Sequence, residues 1–388
     1  MAQPILRTID TPGVFEDALS LLRSGEIVAL PTETVYGLAA DATREDAVAK
    51  IFLAKGRPQD NPLICHVQSV AMAARYAPIP SIMHTLAEAF WPGPLTLIVR
   101  EGEGIAPSVR AGTGKIGFRM PRHETMLGLI GALDKPLAAP SANRSGRPSG
   151  TRASHIAEDF TGTSLRLIVD GGPTSLGVES TIVDLTPLEE GGEALLVREG
   201  AISLEELAPF LPIRLVETLE AGMTISPGLT HKHYAPKGRL VLLEGTLAEQ
   251  KAQLRFAKGG KVVCILASEI VGEAGNMPVL DGGPWAHPEV AAQRFFHLLR
   301  EADAMGAEQI YCSTWSKTSG LGRALFERQR RAAGGRNKFT FCEISLFLAI
   351  ASFFVRVNCP YSNNIHARFT RDGDVRGQRT CTINPGGA

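Results

Sequence analysis

The chain has no cysteine arithmetic to exploit: its six cysteines, Cys65, Cys264, Cys312, Cys342, Cys359 and Cys381, form neither a CxxC pair nor a metal-ligand spacing. That argues against a zinc site or a disulfide framework and leaves reduced thiols. The first ten residues lack a basic stretch followed by an apolar one, so no export signal is read and the expected compartment is the cytoplasm. No run approaches a membrane span; the apolar stretch at 344–355 is about 12 residues, against the ~20 that a spanning helix requires. Net charge is lacking too. The formal total is zero, and residues 1–236 hold 20 basic against 27 acidic side chains, a net of −7, which speaks against bulk nucleic-acid affinity.

What is present is the balance of a soluble globular protein, 44% apolar and 21% charged, over 388 residues, enough for two folded units with separate cores. Thr11 and Pro12 read as a helix N-cap with a first-turn proline, Phe15, Ala18, Leu19 and Leu22 share one face, and Gly25 stops the helix. A short buried strand at 26–30 ends at Pro31. In a second helix Val48, Ile51 and Phe52 share a face, and Lys55 at its end is expected to project into a loop. Further strands are expected at 95–99, 116–119, 137–139, 167–170, 181–185 and 194–197, giving a mixed α/β domain. Ser203 with Glu206 makes a capping box. The segment 211–236 shows no sustained period and reads as a linker between a domain at 5–210 and a smaller α/β domain at 237–336. In that second domain, strands at 240–243, 262–266 and 309–312 alternate with helices at 288–305 and 321–333. Residues 337–388 change character abruptly and read as an atypical, poorly ordered tail.

Three polar clusters follow apolar segments. Pro31-Thr32-Glu33-Thr34-Val35-Tyr36-Gly37-Leu38 fits either a loop whose hydroxyls contact a small polar substrate or an ordinary turn. Lys55-Gly56-Arg57, continuing through Asn61 to His66, fits either a polyanion site, with lysine as point charge and arginine as fork, or a solvated basic turn. In Ser141-Ala142-Asn143 to Ser149-Gly150, small side chains allow backbone to wrap phosphate and ribose, or mark a long loop; the pattern is not a Walker A sequence.

Taken together and in this order, these segments closely resemble the YrdC family of threonylcarbamoyl-AMP synthases. The hallmark of that family is a Lys-x-Arg pair with a Ser-x-Asn pair, met by Lys55, Arg57, Ser141 and Asn143. Its PTETVYGL, RPxxNPLxxH, WPGPLT and GVESTI segments are all present. Ser226-Pro227-Gly228 and His233-Tyr234-Ala235-Pro236 resemble the linker signature of the long two-domain form, so the resemblance covers about residues 5–336. Gly150 stands where the family usually has proline, and residues after Arg336 match no part of its pattern.

The resemblance implies a YrdC-like twisted mixed sheet with flanking helices, plus a smaller Rossmann-like domain. It also implies an enzyme that joins L-threonine and bicarbonate to the AMP moiety of ATP, with Mg2+ accompanying the nucleotide and a tRNA threonylcarbamoyl-transfer machinery downstream. Carried over residue by residue, Thr34, His66, Arg119, Ala139 and Ser180 should bind threonine. Arg57, Asn61, Lys115, Ser141, Ser149, Arg198 and Tyr234 should bind ATP, with Lys115 acting through its backbone, Tyr234 as a lid, and Lys55 and Asn143 beside the phosphates. No resident protein-held metal site is expected. Two rival readings are a double-stranded-RNA-binding module of the same shape, disfavoured by the acidic balance, and a carbamoyl-transfer enzyme, which lacks the linker signature.

Overall fold

Two sheets of different construction organise the chain, seen here in a computed structural model that describes residues 3–216, 234–318 and 320–334. The first has eleven strands: β1 (Ile5–Thr8), β2 (Val28–Leu30), β3 (Gly37–Asp41), β4 (Ile64–His66), β5 (Leu95–Arg100), β6 (Lys115–Arg119), β7 (Leu137–Ala138), β8 (Leu167–Asp170), β9 (Thr181–Asp184), β10 (Ala194–Arg198) and β11 (Ile213–Leu215). They lie in the order β1-β8-β2-β3-β7-β4-β6-β5-β9-β10-β11. Pairing is mixed: β2–β3, β3–β7 and β7–β4 are antiparallel, whereas β4–β6 and β5–β9 are parallel.

The helices that cover this sheet follow their apolar spacing. Val14–Arg23 buries Val14, Ala18 and Leu22, one residue per turn on a single face. Its start differs from the sequence expectation. Thr11 is not the N-cap; that position is Gly13, in the left-handed region at φ 78, with no side-chain cap. Thr11 instead pairs its hydroxyl with that of Thr8 at 3.0 Å. The chain leaving β1 makes a left-handed turn that glycine adopts without steric cost before the helix begins. The expected capping box at Ser203 and Glu206 is present.

Strand β3 was not legible, because Gly-Leu-Ala-Ala-Asp has no β-branched residue, yet it is wholly buried inside the sheet. Its pairing with β2 makes residues 31–36 a connection between antiparallel strands. β11 lies within the segment read as a linker and pairs parallel with β10. The Ser226-Pro227-Gly228 signature and His233, like the tail at 337–388, lie outside the described residues.

The second sheet has four strands, β12 (Arg239–Leu243), β13 (Val262–Ala267), β14 (Val279–Gly283) and β15 (Gln309–Ser313), in the order β12-β15-β13-β14. Every pair in it is parallel, and its long helix Pro288–Ala304 carries Phe295, Phe296 and Leu299 into the core. That core also takes in Val35, Val178 and Tyr234, so the apolar interior continues into the first domain. The approach is close: a Cβ on Gly177 would meet the Ala292 carbonyl oxygen at 2.4 Å. Arg300 crosses the interface to Asp159 at 2.8 Å and to the Pro148 carbonyl at 2.5 Å, and Arg323 reaches Glu199 at 3.0 Å. No helix among the described residues is long and apolar enough to cross a membrane.

Candidate active site

The helix Glu45–Lys55 ends on Gly56, whose left-handed backbone (φ 62) reverses the chain. This local geometry explains the Lys-x-Arg spacing, since the two cations leave the glycine in different directions. Lys55 is buried rather than projecting into an open loop, and its Nζ donates to the carbonyls of Ser141 and Asn143. Burial, with Arg57 beside it, holds the Lys55 amine well below the usual lysine range. Arg57 donates from Nε to the Asn61 carbonyl at 3.2 Å and from Nη2 to the Pro62 carbonyl at 2.9 Å.

The loop that Lys55 grips is pinned to the loop after β2. Tyr36 N donates to the Gly150 carbonyl at 2.8 Å, Ala142 N to the Tyr36 carbonyl at 2.6 Å and Leu38 N to the Pro140 carbonyl at 2.8 Å. Within it the Ser141 hydroxyl donates to Asn143 Oδ1 at 2.6 Å, and Asn143 Nδ2 donates to the carbonyls of Arg144 and Arg147. A Cβ on Gly150 would lie 2.6 Å from the Ala142 carbonyl oxygen, so in this chain the backbone closes onto the position where the family usually has proline.

Strand ends supply the rest. Arg119, last in β6, donates from Nη1 to the Thr34 hydroxyl at 3.0 Å and from Nε to the Gly93 carbonyl at 3.2 Å, and forms an ion pair with Glu33 at 2.7 Å. Burial alone would raise the Glu33 carboxyl; Arg119 outweighs it and holds the group below the usual carboxylate range. His66 lies opposite Arg119 in the β4–β6 register. Burial and the neighbouring guanidinium push its imidazole down to about 3, so it is neutral at physiological pH. Arg198, last in β10, donates to the Ser180 carbonyl at 2.9 Å and to its hydroxyl at 3.1 Å, and burial lowers it to about 10. Burial likewise lowers Arg57 to about 10.

These groups meet in one cleft of ≈ 680 Å³. Thr34, Arg57, His66, Arg119, Ala139, Ser141, Asn143, Ser180, Arg198 and Tyr234 all line it, and Glu179 is the one carboxylate among its described lining residues. A polar, cation-rich cavity built from several strand ends and loops suits an anionic ligand that also carries a polar head group.

A family model described as "Telomere recombination" (Sua5_yciO_yrdC) matches residues 20–200, and one described as "Threonylcarbamoyl-AMP synthase, C-terminal domain" matches residues 202–334. The threonylcarbamoyl-AMP synthase of Pyrococcus abyssi is 39% identical over 329 residues, covering 82% of this chain and 94% of the relative. That of Bacillus subtilis is 40% identical over 326 residues, covering 82% and 92%. The chain belongs to the threonylcarbamoyl-AMP synthase family. The crystal structure of P. abyssi Sua5 complexed with L-threonine superposes with a TM-score of 0.77 at 36% identity, covering 86% of this chain and 98% of that one. This likeness establishes the YrdC-like mixed sheet with its C-terminal domain.

Four residues singled out from this family's pattern stand outside the cleft lining. Lys55 sits behind Ser141 and Asn143. Asn61 is buried and offers its carbonyl to Arg57. Ser149 is buried and donates to Glu179 Oε1 at 2.6 Å. Lys115 lines a neighbouring cavity of ≈ 340 Å³, and its Nζ pairs with Asp184 at 2.7 Å. The residue-by-residue carry-over names none of Thr32, Glu33, Tyr36 and Glu179, although all four stand in the quoted motifs. Thr32 braces the first loop by accepting from Thr34 N at 3.1 Å and donating to the Val35 carbonyl at 2.7 Å. A lone glutamate in a polar loop gives no periodic signal, and the arginine partner of Glu179 lies 149 residues away.

Proposed function

We infer that this protein forms threonylcarbamoyl-AMP, and that the reaction is a nucleotidyl transfer from ATP. The neutral amine of L-threonine attacks CO2, derived from bicarbonate, and gives up a proton to water as the nitrogen–carbon bond of a carbamate forms. A carbamate oxygen then attacks the α-phosphorus of ATP, and the bond from that phosphorus to the bridging oxygen breaks to release pyrophosphate. The adenylate product would pass to machinery that transfers the threonylcarbamoyl group to tRNA.

The observation that carries this reading is the convergence of Arg57, Arg119 and Arg198 on one cleft with a single carboxylate among its described lining residues, backed by Lys55. Two anions must be held against each other for carbamate to attack phosphate, so positioning and charge neutralisation supply most of the rate. Burial disfavours the charged form of Lys55, Arg57 and Arg198, and a bound polyphosphate would relieve that penalty. In this reading Arg57 and Arg198 would hold the nucleotide, with Ser141 and Asn143 at the phosphates. Arg119 and Ser180 would hold threonine, and neutral His66 can donate or accept a hydrogen bond without adding charge. No covalent protein nucleophile is needed. Tyr234, buried against Phe296 with ring centroids 5.1 Å apart, would help exclude water from a hydrolysable product.

Mg2+ would accompany ATP, neutralising charge on the departing pyrophosphate. The donor set fits an ion held chiefly by phosphate oxygens and water. The one lining carboxylate, Glu179, already accepts from Ser149 and Arg328, and the described residues contain no cluster of three metal-ligating side chains. The test is pyrophosphate release from ATP. The reading requires dependence on both threonine and bicarbonate, and release that is indifferent to either would refute it.

A further inference from the structure

Glu179 lines the cleft beside Ser180, and both its oxygens are engaged by residues that do not line it. Oε1 accepts from Ser149 at 2.6 Å, and Oε2 accepts from Nε of Arg328 at 3.0 Å. Arg328 belongs to the helix Gly320–Ala332 of the second domain, is 1% exposed and does not line the cleft. Its Nη1 simultaneously donates to Glu327 at 3.0 Å, a two-carboxylate geometry that the arginine fork makes and a lysine ammonium does not reproduce. The neighbour of Glu179 in sequence is Ser180, which Arg198 holds through both its carbonyl and its hydroxyl. Ser149 opens onto the loop whose next residue, Gly150, accepts from Tyr36.

We propose that Arg328 is a positioning residue for the active site: by fixing Glu179 it fixes Ser180 on the threonine side and Ser149 on the nucleotide side, so docking of the second domain completes both subsites. This builds on the synthase reading above. Removing the guanidinium leaves a buried carboxylate facing the active-site cations. The charged and titratable groups around it are Arg198 from β10, Lys55 from its helix end, Tyr234, and Arg331 with Glu327 from the same helix as Arg328. An unpaired Glu179 would either take up a proton or turn toward Arg198, occupying the charge meant for the substrate. A merely adhesive role is the alternative, and Arg300 supplies the contrast. It crosses the same interface to Asp159 and the Pro148 carbonyl but has no bond to a residue that lines the cleft.

The test uses the full chain and follows threonine-dependent pyrophosphate release across pH for wild type, R328K, R328M, E179Q, R328M/E179Q and R300M. The expected result for R328M is a loss of about tenfold or more in kcat/KM, with the acid limb of the pH profile moved to higher pH. R328K should recover part of the rate. The double variant should lose no more than the worse single variant, and R300M should melt earlier with an unmoved pH profile. The proposal is overturned if R328M keeps the wild-type pH profile and changes only its melting temperature, or if the two single losses multiply in the double variant. Should wild type release no pyrophosphate, the reaction assignment fails by itself. ATP affinity of the same variants, measured by calorimetry, then decides: non-additive losses support the coupling and additive ones overturn it.

Discussion

The two domains bury charge for different purposes. In the first, buried polar groups cluster at strand ends, a helix end and loops around a cavity: Thr34, Lys55, His66, Arg119, Asn143, Ser180 and Arg198 are each less than a tenth exposed. In the second, buried polar groups make internal bonds, as when Gln250 donates to the Thr314 carbonyl and Gln329 to the Ser313 carbonyl. The exceptions are Arg300 and Arg328, which leave that domain to meet Asp159 and Glu179 of the first. The first domain thus carries carboxylates that its own residues do not fully satisfy, and the second supplies counter-charge. A polar cavity that must gather anions is stabilised from outside, by a domain whose all-parallel sheet needs no such site.

The sharpest way to break this comparison is at the cavity. Arg57→Ala should reduce threonine-dependent pyrophosphate release by roughly a thousandfold while circular dichroism stays unchanged. Lys55→Ala should act comparably, by releasing the Ser141 and Asn143 carbonyls. At the interface, Arg300→Met should lower stability by about 1 to 2 kcal/mol, because it strips one of two arginines from buried Asp159, which keeps Arg147 and the Arg144 N–H; the midpoint of urea unfolding measures it.

A smaller effect comes from His66. Its folded-state value of about 3 lies below the ordinary histidine value of 6.5, so between these limits the unfolded chain binds a proton that the folded one does not. Stability is therefore full above pH 6.5 and falls as pH drops toward 3, with a slope of about 1.4 kcal/mol per pH unit from this residue. His66→Gln should flatten that part of the stability profile. The least effect is expected where charge is exposed. Arg100 pairs with Glu189 and Glu190 while half exposed, and Arg100→Ala should leave the midpoint of urea unfolding almost unmoved.

Legibility in the sequence followed the range of the signal. Strands such as Leu167–Asp170, the capping box at Ser203 and the helix ending at Lys55 were readable because apolar period, cap and stop lie within a few residues of one another. β3 was not, because its burial, not its composition, makes it a strand. Thr11 looked like a cap because a hydroxyl precedes a proline, but the left-handed turn at Gly13 intervenes. The cleft residues were readable as motifs, whereas the reason Lys55 and Arg57 diverge is the φ of Gly56. The pairings of Glu33 with Arg119 and of Glu179 with Arg328 join residues far apart in the chain, and no local pattern announces them.

The central claim is that the cleft assembles one covalent product from three small substrates. Mass spectrometry of a reaction containing ATP, L-threonine and isotopically labelled bicarbonate addresses it most directly. The account predicts an AMP adduct of threonine that carries the label in its carbamoyl carbon. Consumption of ATP with no labelled threonine adduct would contradict it.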